Sequence, residues 1–338
     1  MAHSVVIGGA GFVGSWVVEE ILKSHDSKVT IIDNLISSER WNVSSDQRVT
    51  FIEGSASDLE TFQKIRSPID FIYQLACFHG NQSSIAQPLN DFEYGLKSTL
   101  VTLEWAKKNA PHARIVYSGA GCAVAEKTWG TPSAIEEIDT TSLIHDSPYS
   151  ISKITGEMYC LYYRKLYNLD IVRVRFQNVY GPREILGAGR WRGTRDTIWR
   201  NVVPIFIYKA INAIPIEVNP LASRDFIYVE DLAKGVIAAS EKGRSGEVYN
   251  LASGNETMII DLAKKILLHT DSKSDYVEQP KRNWDSSGRR LADTKKSTRE
   301  LQFTALTNLD EGLKKTIDWT QSHLELIETC IHQHRERL

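Results

Sequence analysis

The chain has 338 residues, 42% apolar and 24% charged, with a formal net charge of -2 at pH 7 and a pI near 6.5. That length provides one large domain or a fused pair with enough apolar surface for a core. The balanced charge gives no overall attraction for a polyanion, so nucleic acid is excluded as the expected partner. Cys77, Cys122, Cys160 and Cys330 lie far apart without paired spacing, which argues against a zinc site or disulfide framework and points to a reducing cytoplasm. The opening residues run straight into a strand-and-turn pattern, so no secretory leader is expected. No segment reaches the roughly 20 apolar residues of a membrane helix; even VPIFIYKAINAIPI is broken by Lys209, Asn212 and two prolines.

In chain order, SVVIGG, KVTIID, VTFIEG, FIYQLA, RIVYSG and DIVRVRF read as six short strands alternating with helical patterns. Their apolar runs are continuous, as expected of parallel strands buried on both faces, and the alternation predicts an α/β, doubly wound parallel sheet. Beyond Gly181-Pro182 the pattern becomes the loop REILGAGRWRGTRDTIWR, then a helix. RDFIYVEDLAKGVIAASEKG reads as a short strand and an amphipathic helix, and VYNLAS as a further strand. From Thr257 the chain is mostly helical, with a polar stretch near 271–298 expected to form loops. This places a cofactor domain at 1–180 plus 223–253, and a smaller C-terminal substrate domain at 181–222 plus 254–338.

Gly8, Gly11 and Gly14 in GGAGFVG end the first strand and open a helix, around Phe12 and Val13. Glycines in that context permit a tight turn, close approach of backbone to a diphosphate, and packing of helix on strand, while free helix N–H groups face the anion. Asp33, followed by Asn34, ends the second strand nineteen residues after Gly14. Its carboxylate suits an adenosine ribose and repels a 2′-phosphate, so NAD is the expected cofactor. The GxxGxxG spacing resembles the short-chain dehydrogenase/reductase superfamily, which implies a Rossmann-type fold. The resemblance also implies cofactor contacts at Asp58-Leu59 and Leu75-Ala76.

Tyr149 and Lys153 in SPYSISKITGEMY lie four apart on a predicted helix and therefore project from one face. A phenol beside an ammonium and a nicotinamide cation is expected to have a lowered pKa and to act as a base near neutral pH. With GGAGFVG before it and VRVRFQNVYGPR, RDFIYVEDLA and RRLADTKKS after it, the succession resembles the extended branch of the superfamily, the NAD-dependent nucleotide-sugar epimerases and dehydratases. That resemblance covers nearly the whole chain. It implies that Asn178, Arg224 and Arg289 hold a nucleotide diphosphate. It also implies a homodimer joined through the LKSTLVTLEWAKK segment and the helix of Tyr149, where Ile154, Met158, Leu161 and Tyr162 form an apolar stripe.

Two positions depart from the family. Ala120 stands where a Ser or Thr usually bonds the sugar oxygen, leaving Ser118 or Cys122 to take that role, and Gly95 replaces the usual Asn. The Asp-Glu pair of dehydratases is Gly121-Cys122 here, and the Glu of decarboxylases is likewise replaced by Cys122. The favoured reaction is therefore C4 epimerisation of a UDP-sugar through a 4-keto intermediate, with dehydration or decarboxylation as the alternative. An oxidoreductase releasing NADH and a catalytically silent NAD-binding regulator are the rival classes. Arg190, Arg192 and Arg195 are expected to contact a carboxylate or phosphate, Arg192 foremost, as a uronate substrate would use.

Overall fold

The computed structural model describes residues 2–66, 68–78, 80–124, 128–139, 143–286 and 288–338. Seven strands form the main sheet: β1 (Ala2–Ile7), β2 (Ser27–Asp33), β3 (Val49–Glu53), β4 (Phe71–Gln74), β5 (Arg114–Ala120), β6 (Asp170–Phe176) and, after three strands that lie elsewhere, β10 (Val248–Leu251). Their order is β10-β6-β5-β4-β1-β2-β3, and every neighbouring pair is parallel. The strand order reverses between β1 and β4, and ligands bind at such switch points, beyond the carboxyl ends of the strands.

The continuous apolar runs are explained by burial on both faces. On one face Val6, Val29, Ile31 and Val174 pack with Val17 and Val18 of the Phe12–Leu22 helix and Leu232, Val236 and Ala239 of the Val229–Lys242 helix. On the other, Val5, Ile7, Ile72 and Ile115 pack with Leu103 and Ala106 of the Ser98–Asn109 helix and Cys160 and Tyr163 of the Pro148–Tyr167 helix.

The remaining strands are short. β7 (Asn178–Tyr180), β9 (Ser223–Tyr228) and β11 (Glu256–Met258) make a three-stranded sheet, and β8 (Ile216–Val218) pairs with β12 (Tyr276–Glu278). Their apolar residues join helices Val202–Ile211, Ile259–His269 and Leu309–Ser322 in a third cluster centred on Tyr180, Phe206, Ile216, Phe226, Leu262 and Leu313. β9 thus pairs outside the main sheet while its following helix packs on it. Among the described residues no helix is long and apolar enough to cross a membrane.

Candidate active site

An open cleft of about 260 Å³ runs along the carboxyl ends of the main strands. Its floor is the glycine turn. Gly8 has φ +84°, and a Cβ there would lie 2.8 Å from the Ala76 backbone nitrogen; a Cβ on Gly14 would strike the Gly8 carbonyl. Gly11 is the N-cap of the Phe12–Leu22 helix and offers no capping side chain, so the N–H groups at that helix start are left for an anion. Gly8, Gly11, Phe12, Val13 and Gly14 all line the cleft.

Asp33 and Asn34 line the next stretch. Asp33 Oδ2 accepts from the Ala10 amide at 3.0 Å, and Oδ1 accepts from the Leu35 amide and the Ser38 hydroxyl, both at 2.9 Å. Burial raises its pKa while those bonds pull it down. A cradle that admits only glycine, an exposed helix start and a carboxylate held at the end of β2 fit an adenine dinucleotide. Leu75 and Ala76 also line the cleft. Asp58 and Leu59 do not: the Asp58 carboxylate caps its own short helix through the Glu60 amide at 3.1 Å, Leu59 is turned outward, and Ser55, Ala56 and Ser57 face the cleft instead.

Tyr149 and Lys153 are presented by the Pro148–Tyr167 helix, which starts at Ser147, whose hydroxyl accepts from the Ser150 amide, with Pro148 in the first turn. The helix is fixed to the sheet by buried Glu157, which pairs with Arg173 at 3.2 Å and Arg175 at 2.9 Å, and by Tyr117, whose hydroxyl donates to the Lys153 carbonyl at 3.0 Å. Lys153 is buried and donates to the Ser118 carbonyl at 2.7 Å and the Ser118 hydroxyl at 3.2 Å; its Nζ lies 5.8 Å from the Tyr149 ring centroid.

Two expectations change here. The phenol is not lowered by the protein alone: burial pushes Tyr149 well above the ordinary tyrosine value, and Cys77, Cys122, Tyr117 and Asp91 push the same way. Desolvation outweighs an ammonium whose short bonds go to Ser118. Ser118, in turn, is committed, its hydroxyl donating to the Gln74 carbonyl at 2.9 Å while receiving Lys153. Cys122 and Ala120 line the cleft close to Tyr149. A Cβ at Gly95 would make ordinary contact at 3.7 Å with Ser152 and with buried Asp91, whose Oδ2 accepts from Ser152 at 2.5 Å.

At the far end Asn178 faces the cleft. Arg289 does not: its Nε and Nη2 grip Glu256, both at 2.7 Å, while the adjacent Arg290 lines the cleft. Arg224 lies behind it, donating to the Ser223 and Gly288 carbonyls at 2.7 Å and to Asp285 at 3.0 Å, with its pKa pulled down to about 9 by burial and by neighbouring Arg290.

The loop arginines are a further correction. Arg192 is 1% exposed and donates to the Ala188 carbonyl at 2.5 Å, while Arg190 reaches the Asn34 carbonyl and Glu53 from solvent, and Arg195 is exposed. None of the three lines the cleft. Turns at Gly187 and Gly189, with φ of +70° and +94°, fold the loop so that Arg192 points into the protein. Arg200, Asn201, Asn81, Tyr94, Gln177 and Arg290 are cleft residues that motif reading missed. Asn81 and Tyr94 come from helical segments and the other four from loops, and no local spacing records that they meet.

The sequence model described as the NAD dependent epimerase/dehydratase family matches residues 4–252. The chain belongs to that family. Its fold matches the Bordetella bronchiseptica enzyme WbmF solved with NAD+, at 45% identity and a TM-score of 0.88, covering 100% of this chain and 98% of that one. The same enzyme with NAD+ and UDP matches at 44% identity and a TM-score of 0.86, covering 100% and 97%. The UDP-glucuronate 4-epimerase of Thermodesulfobacterium geofontis is 27% identical, over 97% of this chain and 99% of that protein. The chain spans 46% of the length of an Arabidopsis thaliana trifunctional UDP-glucose 4,6-dehydratase, epimerase and reductase, to which it is 26% identical.

Proposed function

We propose that this chain is an NAD-dependent nucleotide-sugar epimerase that inverts C4 of a UDP-sugar through a transient 4-keto intermediate. The observation that carries the reading is that Tyr149 and Lys153 open into the same cleft as the glycine turn and Asp33, with Asn178 and Arg290 at its other end. The similarity to structures holding NAD+ and UDP supports the same two occupants. Bound NAD supplies the hydride acceptor and donor. Its positive nicotinamide adds the charge that the protein lacks for ionising Tyr149, and the phenolate takes the C4 hydroxyl proton. Lys153, tied to Ser118, holds the phenol's electrostatic surroundings in place. Asn178 and Arg290, with Arg224 and Asp285 behind them, suit the nucleotide diphosphate, whose anchoring keeps the ketose from escaping while it turns.

Cys122 rather than Ser118 is placed to meet the sugar where Ala120 cannot, because the Ser118 hydroxyl is already bonded twice. Dehydration is disfavoured by a specific contact. The Gln177 amide fills the space a side chain at residue 121 would need, where dehydratases place an acid. We assign residues 1–180 plus 223–253 to a cofactor domain and 181–222 plus 254–338 to a substrate domain, whose 183–200 loop reaches back over the segment after β2. Met158, Leu161 and Tyr162 are 57%, 42% and 52% exposed and support a homodimer through the helix of Tyr149. Ile154 is not part of that face, being packed inward on Ala123, Val124 and Ile135. A cytoplasmic location fits four free cysteines.

The test is incubation with NAD+ and UDP-glucose or UDP-glucuronate side by side, resolving products by chromatography. A product of unchanged mass that interconverts with its substrate is expected. Loss of water or carbon dioxide, stoichiometric release of NADH, or no turnover with any UDP-sugar would each overturn the assignment. Sedimentation showing a monomer at micromolar concentration would end the dimer.

A further inference from the structure

The guanidinium of Arg200 belongs to none of the motifs, yet it is the only arginine of the 183–200 loop that lines the cleft. The loop lies across the segment after β2: the Trp191 amide donates to the Ile36 carbonyl at 3.1 Å and the Gly189 amide to Glu39 Oε1 at 2.8 Å. Arg200 fastens it there, with Nε on the Ile185 carbonyl at 2.9 Å and Nη2 on the Ser37 carbonyl at 2.5 Å and the Ala188 carbonyl at 3.0 Å. Three neutral carbonyls fix the fork in orientation without cancelling its charge.

The charged and titratable groups that act on Arg200 are Glu184, Glu39, Cys330, Cys77 and, from its own loop, Arg192. Burial pulls the guanidinium down to about 10, so it stays cationic at neutral pH. Glu184 is 3% exposed, gives Oε1 to the Asn201 amide at 2.5 Å and leaves Oε2 unpartnered, and burial pushes it up to about 7. The carboxyl whose charge acts most on the arginine is therefore partly neutralised near pH 7. An anion in the cleft completes the pair.

The position selects the anion. Ser37 stands four residues past Asp33, on the side of the adenosine ribose, and Cys77, which feels Arg200, follows Ala76 on the side of Tyr149. Between those two ends of a dinucleotide lies its diphosphate, and the glycine turn faces the same stretch of cleft. Resting on the reading that NAD occupies this cleft, we propose that Arg200 is a diphosphate ligand for the cofactor, carried by the loop that covers it and opposing the glycine turn.

The experiment titrates the full chain, wild type and Arg200→Gln, with NAD+, ADP, adenosine and UDP, followed by tryptophan fluorescence at low and high salt. Arg200→Gln is expected to weaken NAD+ and ADP about 10- to 100-fold, flatten their salt dependence, and leave adenosine and UDP within about twofold. Equal loss on adenosine overturns the proposal, since the arginine would then only brace the loop. Loss on UDP with NAD+ unchanged assigns it to the substrate and overturns it too. Wild type that binds UDP but no NAD+ sinks the cofactor reading itself, and the proposal with it. Glu184→Gln gives an independent check away from the cleft: ADP affinity should rise several-fold at pH 8 and match wild type at pH 6, with adenosine unchanged at both. No change at pH 8 overturns the proposal.

Discussion

The two walls of the cleft are built in different ways. The floor consists of the glycine turn, Asp33 and the helix of Tyr149, each supplied by one regular element whose start or end places it, with the helix further fixed by Glu157 and Tyr117. The covering wall includes Arg200, Asn201 and Arg290, from loops brought to the site by packing on other segments, as Arg200 is on Ser37, 163 residues away along the chain. The floor carries the chemistry in a form that local sequence states. The covering wall presents side chains whose direction depends on the whole fold.

The largest effect tests the floor. Tyr149→Phe should lower turnover about 100- to 10,000-fold while leaving NAD+ affinity within about twofold, measured by steady-state kinetics and fluorescence titration. Near-normal turnover would remove the phenol from the chemistry. Asp33→Ala should then weaken NAD+ by about 10- to 100-fold, because it removes a carboxylate that also holds the Ala10 and Leu35 amides. If UDP weakens instead, the carboxylate serves the other ligand.

Gly8→Ala places a side chain at φ +84° and against Ala76, and should destabilise the fold by about 1–3 kcal/mol, read from denaturant unfolding. An unchanged midpoint would show that the turn relaxes freely. The phenol gives a titration with a definite sign: in NAD-free protein Tyr149 should ionise above the ordinary tyrosine value, and added NAD+ should move it down, followed by ultraviolet difference absorbance of wild type against Tyr149→Phe. A value already lowered without NAD+ would mean that Lys153, not desolvation, governs it.

The smallest effect belongs to Arg192. Because it is buried with Nε unpartnered and lies outside the cleft, Arg192→Met should change stability by no more than about 1 kcal/mol and leave the ratio of UDP-glucose to UDP-glucuronate turnover unaltered. A selective loss on the uronate would restore Arg192 to the site.

Those outcomes follow the line between what could and could not be read along the chain. Six strands, the strand VYNLAS and the helix of Tyr149 were legible because buried parallel strands need continuous apolar runs and a helix needs its cap and spacing. The three-residue strands β7, β8, β11 and β12 were not, since so few residues carry no periodicity. Within the RR doublet, the family resemblance pointed to Arg289, but Arg289 pairs with Glu256 and its neighbour Arg290 lines the cleft.

By itself the sequence determined the parallel strands, the glycine turn with Asp33, and the shared face of Tyr149 and Lys153, because each leaves a pattern a few residues long: a continuous apolar run, glycine spacing before a helix, or a four-residue helical interval. Tertiary structure alone decided that β9 leaves the main sheet, that Arg200 enters the cleft while Arg192 is enclosed, and that the phenol is raised rather than lowered. Those outcomes rest on burial and on carbonyls contributed from far along the chain, quantities that exist only once the segments have packed.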